Sequence, residues 1–196
     1  VRHREGDKHT DILNAAIKVF CKNGFDGAKV ADVAHAAGIS SGAVYLYFAN
    51  KETVLESVFT RFWDEQLLSS EGLEKLDPVE YLRARLTLFF DALSADRDLA
   101  ELYLREHHRY LTTTSTAGLE SYHKTLLQGE KVFQRGTKLG RIIKGTDVAL
   151  MRSFLFGGVR AAVEFWLTSS LSAKQVRDRM LKMAVASVAP LSETRA

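Results

Sequence analysis

Two glycines in the first forty residues, Gly24 and Gly38, each end a stretch whose apolar residues recur at three-and-four spacing. Such punctuation commits the front of the chain to short helices joined by tight turns. Over residues 8–23 the stripe is Ile12, Leu13, Ala16, Val19 and Phe20, and over 28–37 it is Val30, Val33, Ala34 and Ala37. Ile39 and Ser40 follow at once, and the Ser40 hydroxyl is suited to accept from a free backbone amide at the start of a third helix. That helix is expected to run to Phe48, with Val44 and Phe48 inward and Ser41, Gly42 and Tyr45 on the opposite face. It has a surface to present.

The rest of the chain is written in the same helical punctuation. Asn50 caps a helix over 51–70 that carries Val54, Leu55, Val58, Phe59 and Phe62, and Asp77 with Pro78 opens the next, through Leu93. Further helices are expected over 96–110, 119–136, 147–168 and 173–188, the last two capped by Thr146 and Ser172. Thr112 to Thr116 read as a polar loop, Gly140 and Gly145 bracket a turn, and the tail 190–196 reads as disordered. Only two prolines interrupt 196 residues, so the fold class is all-α.

Composition narrows the function classes. With 46% hydrophobic and 26% charged residues the chain is neither disordered, collagen-like nor disulfide-stapled. The single cysteine, Cys21, excludes an internal disulfide and a CxxC metal knuckle, which makes the cytoplasm the expected compartment. No apolar run approaches the roughly 20 residues of a membrane span, so no membrane partner is expected. A net charge of +3 permits an anionic partner without requiring one. Neither a metal site nor a cofactor is expected: HExxH, Walker A, GxSxG and Gly-rich strand-to-helix motifs are missing, and adjacent His107 and His108 on a helix point about 100° apart. The expectation is that the chain is not an enzyme.

The unit from Gly24 to Phe48 has the parts of a helix-turn-helix: a helix, a glycine turn, and a second helix with one face free to enter a major groove. At Gly24-Phe25, then Val30-Ala31-Asp32-Val33-Ala34-His35-Ala36-Ala37-Gly38-Ile39-Ser40-Ser41-Gly42-Ala43-Val44-Tyr45-Leu46-Tyr47-Phe48-Ala49-Asn50-Lys51-Glu52, the chain resembles the TetR family of bacterial transcriptional repressors. The match is dense over the first quarter of the chain. It implies a three-helix DNA-binding domain over 1–50 and a helical bundle for ligand binding and dimerisation over 51–196.

The resemblance also implies roles. Tyr45 and Tyr47 would place hydroxyls on phosphates or bases, and Lys51, opening the fourth helix, would meet the phosphate backbone. Ser40 caps the reading helix, and Ser41, Gly42, Ala43 and Leu46 would lie nearest the base edges. Where the family has Thr-Thr before its second helix this chain has Ala28 and Lys29, so Lys29 would replace a hydroxyl contact by charge. Arg2, His3 and Arg4 form a candidate arm toward phosphate or the minor groove, or a solvated start.

For the second domain the expected partners are a second copy of the chain and a small apolar effector. Phe154, Gly158, Ala162 and Trp166 on one of the last two helices, with Val176, Met180 and Met183 on the other, are the candidate homodimer interface, although part of each stripe must face the subunit's own core. Candidate pocket residues are the aromatics Phe59, Phe62, Trp63, Phe89, Tyr103, Tyr122 and Phe156, edged by Arg105, His108 and Arg160. The stretch Leu155-Phe156-Gly157-Gly158-Val159-Arg160, with Phe165-Trp166, is similar to the family's fatty-acid-degradation regulators. That similarity implies a long-chain acyl-CoA or fatty acid whose binding releases a palindromic operator. Two alternatives stay open: a repressor of a drug-efflux operon responding to aromatic or cationic compounds, and a helical protein-interaction module.

Overall fold

A computed structural model describes residues 5–190, and among them every regular element is helical. They are α1 (Glu5–Asn23), α2 (Val30–Ala36), α3 (Ser41–Tyr45), α4 (Lys51–Leu68), α5 (Pro78–Ser94), α6 (Arg97–Thr113), α7 (Glu120–Lys138), α8 (Val148–Thr168) and α9 (Ala173–Val188), with a 3-10 turn over Leu73–Lys75. The arm suggested by Arg2, His3 and Arg4, and the tail 191–196, lie outside the described residues.

Most helix ends sit where local side chains place them. Ser40 Oγ accepts from Ala43 N at 3.2 Å, Asn50 Oδ1 from Thr53 N at 2.9 Å and Asp77 Oδ1 from Val79 N at 2.9 Å. Ser172 and Gln175 cap α9 reciprocally. Three expectations are corrected. The reading helix ends at Tyr45 and not at Phe48, because the amides of Tyr47 and Phe48 both bond to the Val44 carbonyl at 3.0 Å and roll Phe48 into the core. α6 extends through Thr113: the hydroxyls of Thr112 and Thr113 fold back onto the carbonyls of His108 and Arg109, and these threonines lie inside the last turn of the helix instead of opening a loop. The cap of α8 is Asp147, whose Oδ1 accepts from Leu150 N at 3.0 Å, while Thr146 is spent on the Ile143 carbonyl.

The chain packs as two compact units. Among the described residues, the first joins 5–62 with Asp98–Glu120, and the second joins Trp63–Arg97 with 121–190. The first packing unit therefore runs past the 1–50 segment, taking in the start of α4 and nearly all of α6. Its core is Ile12, Leu13, Ala16 and Phe20 of α1, Val33 and Ala34 of α2, Val44 and Phe48, and Val54, Val58 and Phe59 of α4, all buried. α6 is tied to it by charge: Arg105 Nη2 donates to the Cys21 carbonyl at 2.7 Å, and Arg109 Nη2 to both Asp26 oxygens at 3.2 Å. In the second unit α5 packs against α8 and α9, which also pack on each other.

Asp77 makes one end of α5 sensitive to acid. Its Oδ2 accepts from Arg141 Nε at 2.7 Å, and that bond, with the amide of Val79, holds the carboxyl below the usual carboxylate range. A carboxyl lowered by folding stabilises the protein above its unfolded pKa, and the contribution is lost as pH falls through the native value. Asp77→Asn keeps a competent cap but no charge. The variant is expected to melt below the wild type near neutral pH and to converge with it as the pH falls through the lowered native range of Asp77, as read by thermal melts across a pH series.

Candidate nucleic-acid interface

The geometry of the reading surface follows from the turn between α2 and α3. Gly38 takes a φ of 68°, open to glycine without strain, and Ile39 N then bonds to the Ala34 carbonyl at 3.0 Å. That closure turns α3 across α2 with Val44 pinned beneath it, buried. What is left outside is Gly42, exposed, Tyr45 at 55% exposure and Leu46 at 85%, with Ser41 and Ala43 half-buried beside them. A phenol hydroxyl, a glycine that admits close backbone approach and a bare leucine form a face suited to phosphate oxygens and thymine methyls.

The other candidates take different positions. Ser40 is committed as the cap of α3. Tyr47 is half-buried, its ring 6.3 Å from that of His9. Of the two positions that depart from the family pattern, Ala28 is buried and only Lys29 is exposed. Lys51 is held inward: Nζ donates to the carbonyls of Phe25 at 2.9 Å, Asp26 at 3.0 Å and Ala28 at 3.3 Å, and stands 4.8 Å from the centre of the Phe25 ring. Three donors meeting three acceptors make it a tie between α4 and the turn after α1.

The ten pocket candidates fall into two sets. Trp63, Phe89, Tyr122 and Phe156 form one aromatic cluster in the second unit, with Trp63 4.9 Å from Tyr122 and 5.5 Å from Phe89, and Phe89 5.4 Å from Phe156. Phe59, Phe62 and Tyr103 cluster within the first unit, where Tyr103 also stacks on His107 at 4.2 Å. Arg105 is exposed and spent on the last carbonyls of α1, while His108 and Arg160 are exposed on α6 and α8. Residues the sequence reading missed are Arg85, Thr125 and Gln66, all buried polar side chains of the second unit. The available signal was Arg85 lying inside the apolar stripe Leu82, Leu86, Phe89.

The dimer candidates also divide. Phe154 and Met183 are 66% and 68% exposed, Gly158 is exposed, Ala162 and Trp166 are half-buried, and Val176 and Met180 are buried against their own subunit. All but Trp166 line an apolar groove of about 800 Å³ along α8 and α9, with Phe165 also exposed beside it. Burial, then the hydrogen bond to Glu101, pushes the Cys21 thiol up to about 11, which leaves it protonated at neutral pH. Among the described residues no group of three His, Cys, Asp or Glu is placed to hold a metal, and no helix is long and apolar enough to cross a membrane.

A helix-turn-helix with a bare outer face, in one chain with an all-helical second unit, is the build of a bacterial transcription regulator. Residues 12–58 match the family described as bacterial regulatory proteins, tetR family. The chain is 30% identical over 165 residues to the fatty acid metabolism regulator protein of Bacillus subtilis, covering 82% of this chain and 84% of that one. It is 27% identical to the transcriptional repressor KstR2 of Rhodococcus jostii, over 81% of this chain and 79% of that one. The crystal structure of a transcriptional regulator FadR from Bacillus subtilis in complex with stearoyl-CoA superposes with a TM-score of 0.76 at 25% identity, covering 91% of this chain and 98% of that one. The chain belongs to the tetR family of bacterial regulatory proteins.

Proposed function

We propose that the protein is a dimeric, ligand-responsive transcriptional repressor that grips a palindromic operator with the α3 helices of two copies and lets go when a long-chain fatty acid or its coenzyme A thioester binds. The observation that carries this reading is the bare face of α3, where Gly42, Tyr45 and Leu46 are left outside a helix pinned by Val44. Residues 1–50 supply the DNA-contacting surface, with Ser41, Ala43 and Lys29 beside that face, and 51–196 supply effector binding and dimerisation. The groove of α8 and α9 suits a second copy, and two-fold symmetry then matches an inverted repeat. Trp63, Phe89, Tyr122 and Phe156 offer apolar walls to the effector.

Support for a lipid effector comes from the relatives. The regulator from Bacillus subtilis is named for fatty acid metabolism, and the FadR structure carries stearoyl-CoA. The effector acts by binding one arrangement of the dimer more tightly than the other, which shifts the separation of the two heads. α4 is the continuous element on which this can run, since Lys51–Leu68 begins in the first unit and ends in the second. The protein works as a regulator and not as an enzyme, in the bacterial cytoplasm.

The test is selection of duplex sites from a random-sequence pool, followed by fluorescence anisotropy across a salt series with and without palmitoyl-CoA or palmitate. The expected result is an enriched inverted repeat, an affinity that falls steeply with salt, and release by palmitoyl-CoA or palmitate. A pool that yields no two-fold symmetric site, or binding indifferent to salt, would overturn the reading in favour of a helical interaction module.

A further inference from the structure

Four buried polar atoms of the second unit line one small internal space with nothing to bond to. Arg85 on α5 is only 4% exposed; its Nη1 donates to Gln66 Oε1 at 3.0 Å, while Nε and Nη2 make no hydrogen bond. The Tyr81 hydroxyl, one turn earlier on α5, and the Thr125 hydroxyl on α7 are equally buried and equally unbonded. No carboxylate pairs with Arg85 among the described residues, although buried cations are ordinarily matched by a counter-charge. Burial accordingly lowers the guanidinium's hold on its proton and raises that of the Tyr81 phenol.

The space they line measures about 20 Å³, room for a water-sized group, between walls that include Leu82, Leu126, Leu155 and Phe156. Gly129 keeps one side open, since a Cβ there would stand 3.4 Å from the Tyr81 hydroxyl. Two guanidinium N–H groups and two hydroxyls, with no acceptor charge among them, present donors to a partner that only accepts. Paired oxygens on one carbon are the group such a fork recognises. A chain attached to that carbon exceeds this space, so its entry must part the apolar walls of Leu82, Leu126, Leu155 and Phe156.

We propose that Arg85, Tyr81 and Thr125 form the receptor for the carboxylate of a free fatty acid effector, so that the ligand enters head first with its oxygen end buried. This rests on the effector reading above and adds the chemistry by which the effector is chosen. The thioester carbonyl of an acyl-CoA also offers an acceptor oxygen, but it carries coenzyme A on the same carbon, which a space of about 20 Å³ does not admit. The missing counter-charge at Arg85 favours the carboxylate.

The experiment titrates full-length, delipidated protein with palmitate, palmitoyl-CoA and 1-hexadecanol by calorimetry, using the wild type, Arg85→Met and Thr125→Val. The wild type is expected to bind palmitate more tightly than palmitoyl-CoA, and Arg85→Met to weaken palmitate by about tenfold or more. Hexadecanol, without acyl oxygens, should respond far less to the substitution. Thr125→Val keeps shape and charge and is expected to weaken palmitate by about threefold or more, so the proposal stays testable if Arg85→Met does not fold. Tighter palmitate than palmitoyl-CoA supports the carboxylate receptor, and the reverse order overturns it. Unchanged affinities in both variants would overturn the receptor while leaving the effector reading in place. If none of the three probes binds the wild type, the effector reading fails and the receptor with it.

Discussion

Phe154→Glu combined with Met183→Glu is expected to leave the chain monomeric and to weaken operator binding by about a hundredfold or more, the scale on which a second linked head contributes. Both side chains stand about two-thirds exposed along the groove of α8 and α9, so neither substitution removes a side chain from the subunit's own core. In a two-fold dimer each new carboxylate appears twice on the same self-complementary patch, and like charges juxtaposed at an interface cost several kcal/mol. Val176 and Met180 line the same groove but are buried, so changing them would confuse lost association with lost folding. Sedimentation velocity at micromolar concentration reads the first half of the prediction and anisotropy the second. A double variant that remains dimeric would place the contact between copies elsewhere.

Lys51→Met should damage the fold of the first unit before it touches DNA. The ammonium of Lys51 is the common donor to the carbonyls of Phe25, Asp26 and Ala28, and hydrogen bonds to a charged group contribute about 1.5–3 kcal/mol each where they are well shielded. These carbonyls are partly accessible and water will replace some of the loss, so the expected destabilisation is about 2–3 kcal/mol in total by urea unfolding. A lysine that served mainly as a phosphate contact would behave in the opposite manner. Its removal would leave the unfolding midpoint unchanged and reduce the salt slope of DNA binding by about one.

Caps were the most legible part of the sequence because a cap is a local event. Ser40, Asn50, Asp77 and Ser172 each place a side-chain oxygen within three residues of the amide it serves, and α9 accordingly spans Ala173–Val188 as its punctuation predicts. The end of α3 was not legible, since it depends on how far Phe48 must turn to reach the core. The partners of Lys51 and Arg105 were illegible for a related reason. Their acceptors lie 23 to 26 and 84 to 85 residues away in sequence, and a basic residue on a helix carries no mark of the carbonyl it will find. Periodicity likewise found the apolar residues of α9 without telling which of two neighbours covers them, so Met180 went inward and Met183 outward. Arg85 is the instructive omission. A charge set inside the stripe of Leu82, Leu86 and Phe89 breaks the pattern of a buried face, and the break itself marks the position.

The reading head is not a cassette. Its core is closed by Tyr103 and Tyr110 of α6, and its first turn is held by Arg105 and Arg109, residues that enter the chain only after an excursion through α5. A cut at residue 50 would strip the head of those side chains and of Phe59, the ring on which Tyr103 and Tyr110 pack. Recombination at that boundary therefore delivers a fragment that lacks its own lid. Substitutions confined to the outer face of α3 leave Tyr103, Tyr110, Arg105 and Arg109 in place, so that surface can be rewritten without rebuilding its support.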